Sequence, residues 1–113
     1  GEYIDGLKDG PWFYEMGDHI EEGEYLDGQK NGEWIYHYTN GKINFKGSFR
    51  DGEYDGKHKF YYSNGKIKKE EVYVMGIKID TWKSYNIEGE LVLSILYKNG
   101  KEAKIDGTKL KDK

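Results

Sequence analysis

A chain of 113 residues with a net charge of −3 and 35% hydrophobic side chains is too short for a large enzyme core, and its length favours one domain. Aromatic residues make up 16% of the sequence, which excludes the aromatic-poor composition of disordered segments. There is no cysteine and no run of about 18 apolar residues, which excludes disulfides, thiolate metal sites and a membrane-spanning helix. We therefore expect an ordered, soluble domain.

Charge is divided unevenly between the two halves of the chain. Residues 1–56 carry five basic and thirteen acidic side chains, a net charge of −8. Residues 57–113 carry thirteen basic and eight acidic side chains, a net charge of +5. This polarity suggests electrostatic steering of a partner, or head-to-tail contact between copies of the chain.

The first residue, Gly1, falls inside a repeated pattern, and no initiator Met precedes it. We therefore expect that the N-terminus has been trimmed and that a leader could have been removed. The compartment stays open between cytoplasmic and exported.

The dominant feature of the sequence is a unit of about 24 residues that recurs along the chain. The predicted units span residues 1–22, 23–46, 47–70 and 71–94, with a partial unit at 95–113, and together they form a single repeat domain. The third position of each unit is aromatic, the sixth is always glycine, and the twelfth is tryptophan in three units. The third positions are Tyr3, Tyr25, Phe49, Tyr73 and Tyr97, and the twelfth positions are Trp12, Trp34, His58 and Trp82.

Glycine punctuation within each unit predicts strand, tight turn, strand and longer turn. Asn40-Gly41 and Asn64-Gly65 separate runs rich in aromatic and β-branched residues, which predicts hairpins closed by type I′ turns. The sequence DGLKDG at residues 5–10 and its equivalents predict a longer turn. The frequent breakers exclude helix. The predicted fold is all-β: tandem β-hairpins in one elongated, twisted antiparallel sheet.

Alternation within the strands predicts that the two faces of the sheet differ. In the second unit Trp34, Tyr36 and Tyr38 point to one side, while Ile35 and His37 point to the other. The aromatic side is either the core of the sheet or a groove for a peptide or sugar. The candidate binding face comprises Trp12, Tyr14, Trp34, Tyr36, Tyr38, His58, Phe60, Tyr62 and Trp82.

Near the end of the chain, residues 91–98 carry apolar side chains in both alternating sets, which predicts a strand covered on two sides. The cover would be residues 101–113 or a second copy of the chain. The lysine-rich end, residues 109–113, is predicted to be a solvated tail.

The segment DGQKNGEWIYHYTNGKINFKG, residues 27–47, resembles the variant MORN repeat of bacterial proteins through its ordered glycines and aromatics. The resemblance covers about residues 1–100, with departures at Asp80 and Asn86 in the fourth unit. It implies a single-layer antiparallel sheet that serves as an interaction module. Some members of that family are labelled antitoxins of toxin–antitoxin pairs.

No arrangement of residues favours catalysis, and we predict that the protein is not an enzyme. Acidic residues are plentiful, but none stands in an apolar stretch, so acid–base chemistry has no candidate and no cofactor is expected. His19, His37 and His58 occupy three different positions of the unit, which disfavours a zinc site. Asp and Asn four residues apart in the longer turns suit turn formation better than calcium binding.

Several non-catalytic functions remain. The leading hypothesis is protein–protein interaction or scaffolding, with another protein or a second copy as partner and no nucleic acid. An anionic membrane surface is an alternative, because Lys57, Lys59, Lys66, Lys68 and Lys69 form a dense basic cluster. A cell-wall glycan bound by the aromatic face, or the role of an antitoxin, are further alternatives.

Overall fold

The computed structural model describes residues 1–106, which form eleven β-strands and no helix. The strands pair antiparallel in chain order in one open sheet. The exception is the two-residue β8, which pairs with β7, so that β7 also pairs directly with β9. The all-β prediction of tandem hairpins is confirmed, and the predicted tail at 109–113 lies outside the described residues. The strands are β1 Glu2–Ile4, β2 Leu7–Glu15, β3 His19–Leu26, β4 Gln29–Tyr38, β5 Ile43–Arg50, β6 Glu53–Tyr61, β7 Ile67–Val74, β8 Ile77–Lys78, β9 Asp80–Tyr85, β10 Leu91–Lys98 and β11 Lys101–Asp106.

The tight turns of the sheet lie at the sixth-position glycines, as at Asp27-Gly28, and not at Asn40-Gly41 and Asn64-Gly65. Asp27 and Gly28 have φ of 50° and 81° and join Leu26 directly to its register partner Gln29. Two successive residues with positive φ are the mark of a type I′ turn, which matches the twist of the strands it connects. The same pair of positive φ values recurs at residues 5–6, 51–52, 75–76 and 99–100.

At Asn40-Gly41 the predicted type I′ turn was wrong. Only Gly41 has positive φ, 90°, and its amide donates to the Tyr38 carbonyl at 2.9 Å. The Asn40 side chain accepts the Lys42 amide at 2.9 Å, which stabilises a three-residue loop with a single glycine in the left-handed region. The predicted longer turn is instead a two-residue type I′ turn followed by a β-bulge. Gly32 lies at this bulge in β4 and has φ of 75°.

The core lies on one face of the sheet, which we call the aromatic face; the opposite face is the polar face. The described part of the chain measures 58 × 35 × 16 Å, so the sheet is one layer thick and its rings bury one another. Nine rings contact in an unbroken row, with centroids 4.8–6.5 Å apart. This ring row comprises Tyr3, Trp12, Tyr25, Trp34, Phe49, His58, Tyr73, Trp82 and Tyr97.

The ring row alternates the third and twelfth positions of successive units, and it therefore connects every unit to the next. Backbone hydrogen bonds reinforce the same connections: the Gly28 amide donates to the Lys8 carbonyl at 2.9 Å, and the bond recurs at Gly52, Gly76 and Gly100. At the other end of the strands, the Tyr38 hydroxyl donates to the Tyr61 carbonyl at 2.7 Å. The stability of such a sheet is a sum of contacts between neighbours.

Residues 101–106 do not cover β10 as the sequence suggested. They form β11, which pairs with the edge of β10 and extends the sheet by one strand. The apolar side chains of β10 are consequently half-buried on both faces, with Tyr97 buried at the end of the ring row.

Candidate interaction surfaces

Trp34 shows how one unit holds its twelfth residue. The indole ring lies flat against Gly23 of the neighbouring strand, where an added Cβ would come within 2.2 Å of the ring. The indole N–H donates to the Glu24 carbonyl at 2.9 Å. The Lys30 amine lies 4.6 Å from the ring centroid on the other side. Glycine, tryptophan and lysine thus form one layered contact, and Trp34 is 0% exposed.

Lysines of the chain itself occupy the spaces between the rings of the aromatic face. The Lys8 amine lies 4.9–5.2 Å from the rings of Trp12, Tyr14 and Tyr25 and donates to the Tyr14 hydroxyl at 2.6 Å. Lys30 and Lys78 repeat the arrangement in the second and fourth units. Aromatic cages of this kind bind ammonium groups. Because the chain fills its own cages, a ligand would have to displace a lysine.

The nine residues of the predicted binding face all lie on the aromatic face or at its edge. Tyr38 ends β4 and Tyr62 directly follows β6, and the hydroxyl of each donates to a carbonyl of the next hairpin. Trp34 and His58 are 0% exposed and offer no surface to a ligand, while the other seven are partly exposed. A binding role for those seven stays a prediction.

The third unit replaces tryptophan by His58 and keeps the hydrogen bond. Nε2 of His58 lies 2.8 Å from the Ser48 carbonyl, the equivalent of the Trp34 bond to Glu24. Nε2 therefore carries the proton, and the buried Nδ1 has no hydrogen-bond partner. Burial lowers the pKa of His58 below its ordinary value, although the Ser48 carbonyl and the Glu71 carboxylate act in the opposite direction.

Glu71 begins the fourth unit, at the position where the first three units have glycine, and it is only 7% exposed. Its carboxylate accepts the Tyr73 hydroxyl at 3.1 Å and lies 3.4 Å from the Lys69 amine. Burial and the neighbouring Glu71 charge raise the pKa of Tyr73. No group of three or more His, Cys, Asp or Glu side chains within residues 1–106 is placed to hold a metal ion.

The polar face contains a shallow groove that sequence reasoning missed. Phe13 is 58% exposed there, beside Pro11 and Ile35. The groove has a volume of about 420 Å³, and three carboxylates line it, those of Glu22, Glu24 and Glu33. We call it the Phe13 groove. The signal in the sequence was Phe13 itself, which alternates with Trp12 and Tyr14 and so faces away from the ring row.

The basic counterpart of this groove lies farther along the same face. Lys46 on β5 and Lys57 and Lys59 on β6 line a cleft of about 210 Å³ together with Glu33, Ser48 and Tyr61. We call these three residues the lysine cluster. The basic cluster predicted from the sequence is divided between the faces, because the Lys69 amine lies over the Phe60 ring on the aromatic face.

The comparisons with known proteins agree with this architecture. The family described as MORN repeat variant matches residues 30–51 and 54–75. The first match covers the hairpin of β4 and β5 and the second covers the hairpin of β6 and β7. No curated protein matches the chain. Residues 1–106 contain no helix that could span a bilayer. The chain is a MORN-repeat protein, built from the variant form of the repeat.

Proposed function

We propose that this MORN-repeat chain is a non-catalytic module that binds another protein through its polar face. The observation that carries the proposal is the Phe13 groove: a large aromatic side chain, 58% exposed, lies within a ring of carboxylates. Exposed apolar surface with a polar rim is typical of protein-binding sites, and aromatic residues at the centre of such sites contribute most of the binding energy.

The polar face suits this role better than the aromatic face because its side chains make fewer contacts with one another. On the aromatic face, rings pack on rings and lysine amines fill the spaces between them. On the polar face, Phe13 belongs to no ring contact among the described residues. The seven partly exposed residues of the predicted aromatic binding face are the alternative contact surface.

Affinity capture with the wild-type chain and two variants tests the proposal. Phe13→Glu removes the apolar contact and adds a fourth carboxylate, so capture of proteins bound by the wild type should fall at least about tenfold. Ile87→Glu is the matched control, since Ile87 is 56% exposed and lies in the turn between β9 and β10. Equal capture by all three chains, or equal loss in both variants, would contradict the proposal.

The lysine cluster favours a second candidate, an anionic membrane surface. Each lysine near such a surface contributes about 1 kcal/mol of binding. Flotation with vesicles that contain phosphatidylserine measures this directly. Lipid binding predicts that wild-type chain floats with the vesicles and that Lys57→Glu/Lys59→Glu abolishes flotation. The protein-binding proposal predicts that the wild-type chain stays at the bottom of the gradient.

A further inference from the structure

Acidic and basic side chains of the polar face are separated along the sheet. Glu22 and Glu24 lie on β3 in the Phe13 groove, and Lys57 and Lys59 lie on β6 in the lysine cluster. The two regions meet between β4 and β5, where the Lys46 amine lies 3.8 Å from the Glu33 carboxylate. The face therefore has an acidic half and a basic half of similar size on either side of one boundary.

The basic half has few counter-charges within its own sheet: Glu33 lines its cleft, and Glu70 is the register partner of Lys59. Lys46 and Lys59 are direct register partners, and like charges directly opposite one another destabilise a sheet. Neither Lys57 nor Lys59 forms an ion pair with any carboxylate of residues 1–106. Two unpaired lysines beside a third indicate a surface that gains stability when carboxylates of another molecule approach it.

We propose that the polar face binds the polar face of a second copy of this chain. The proposal rests on the proposed function, because it takes the polar face as the contact surface and names its partner. The symmetry is a two-fold axis parallel to the strands that passes between β4 and β5. Rotation about this axis turns one face onto the other and reverses the order of the strands, so that β3 of one copy lies over β6 of its partner.

The register of the sheet places complementary groups opposite each other under this rotation. Glu22 and Lys59 belong to one cross-strand row, which runs through Ile35 and Lys46. Rotation about an axis parallel to the strands preserves height along them, so Glu22 comes to lie over Lys59 of the second copy. Glu24 and Lys57 lie two residues farther toward the Asp-Gly turns, Glu24 on β3 and Lys57 on β6, and they face each other likewise.

The same arrangement covers Phe13. The rotation brings β2, with the exposed Phe13, over β7 of the second copy, where the same cross-strand row ends at Glu70 and the half-buried Val72 lies two residues away. Six strands about 4.8 Å apart and about 20 Å long offer about 600 Å² per copy, so the pair buries about 1,200 Å². That area is at the lower end of specific interfaces, which fits a weak dimer whose ion pairs are screened by salt.

Exchange of charges between the two halves tests the pairing. Glu22→Lys/Glu24→Lys reverses the charge of the acidic half, and Lys57→Glu/Lys59→Glu reverses the charge of the basic half. In sedimentation velocity at low salt, the wild-type chain should dimerise, and high salt should weaken the dimer at least about tenfold. Each variant alone should sediment as a monomer, and an equimolar mixture of the two should form a dimer again.

Glu88→Lys/Glu102→Lys is the control, because it changes the net charge as much as the first variant but away from the polar face. It should dimerise like the wild type, and circular dichroism should show that every variant keeps its strands. A wild-type chain that stays monomeric at its solubility limit, a mixture no more associated than its parts, or a control that weakens the dimer as much would overturn the pairing. Capture of a different protein that depends on Phe13 would still stand, so the two proposals fail separately.

Discussion

Trp34 and His58 occupy the same position in neighbouring units, and both are sealed from solvent, yet their surroundings differ. Trp34 lies between a glycine and a lysine amine, and the Tyr25 and Phe49 rings contact its edges. His58 is covered by the Tyr54 ring at 4.4 Å and stands beside the buried Glu71. The third unit has therefore replaced two residues of the contact, Lys30 by Tyr54 and Trp34 by His58. It keeps the glycine, because Gly47 lies against His58 as Gly23 lies against Trp34, and Glu71 begins the fourth unit.

The comparison shows which features of the unit are required. Both residues place a flat ring in the ring row and donate a hydrogen bond to the carbonyl ten residues earlier. The cation above the ring is replaced by Tyr54 in the third unit, and the glycine is replaced by Glu71 in the fourth, so neither is required. Ring and donor hold the fold, while cation and glycine adapt to them.

Truncation of the Trp34 and His58 side chains should lower the stability of the sheet to different extents. Trp34→Ala removes the largest sealed side chain of the sheet, and we expect it to lower the free energy of unfolding by about 4 kcal/mol. His58→Ala removes a smaller ring that already leaves Nδ1 without a partner, and a loss of about 2 kcal/mol is expected. Chemical denaturation measures both values. A larger loss for His58→Ala would contradict the comparison.

The glycine under the tryptophan offers the next largest effect. An added Cβ at Gly23 would lie 2.2 Å from the Trp34 ring, so Gly23→Ala forces the ring to move and should lower stability by about 3 kcal/mol. Gly17→Ala serves as the control, because open space surrounds that position and its φ is not in the left-handed region. It should change stability by less than about 0.5 kcal/mol. Equal effects of the two substitutions would show that the ring does not rest on Gly23.

The pH dependence of stability should be the smallest difference between the units. Burial lowers the pKa of His58 in the folded chain, so the unfolded chain binds more protons as pH falls toward the ordinary value of 6.5. Stability from this group is therefore present above that pH and is lost below it. His19 acts oppositely, because the hydrogen bonds that its ring donates to the Glu21 and Asp18 carboxylates raise its pKa.

Removing His19 isolates the effect of His58. In a His19→Gln background, the free energy of unfolding should fall as pH drops from about 8 to about 5.5. In His19→Gln/His58→Trp, which restores the residue of the other units, that fall should be smaller. Denaturant titrations at several pH values measure the difference. The same slope in both chains would show that His58 is not the group responsible.

Much of the fold follows from the sequence because its signals are local and repeated. Glycine and aromatic residues at fixed positions set the strand lengths, and alternation alone places Trp34, Tyr36 and Tyr38 on one side. The turn types did not follow, because Asp-Gly and Asn-Gly carry the same signal for a type I′ turn. The difference came from the Asn40 side chain, which accepts the Lys42 amide and favours the three-residue loop.

The surfaces proposed to bind partners were harder to predict because they depend on register. The Phe13 groove is formed by residues of three strands, and only the pairing of those strands brings them together. These residues are Pro11 and Phe13 on β2, Glu22 and Glu24 on β3, and Ile35 on β4. The lysine cluster likewise joins residues from β5 and β6. Burial of Trp34 and His58 also required the structure, since alternation gives the face of a residue but not what covers it.

The two faces have different roles, stability for the aromatic face and partner contact for the polar face. Adjacent residues of one strand test this difference. Trp12 belongs to the ring row on the aromatic face, and Phe13 lies exposed on the polar face. The free energy of unfolding of Trp12→Ala and Phe13→Ala is the direct measurement. We expect a loss of about 3 kcal/mol for Trp12→Ala and less than about 0.5 kcal/mol for Phe13→Ala. Equal losses, or a larger loss for Phe13→Ala, would contradict a sheet that is held together by one face and meets its partners with the other.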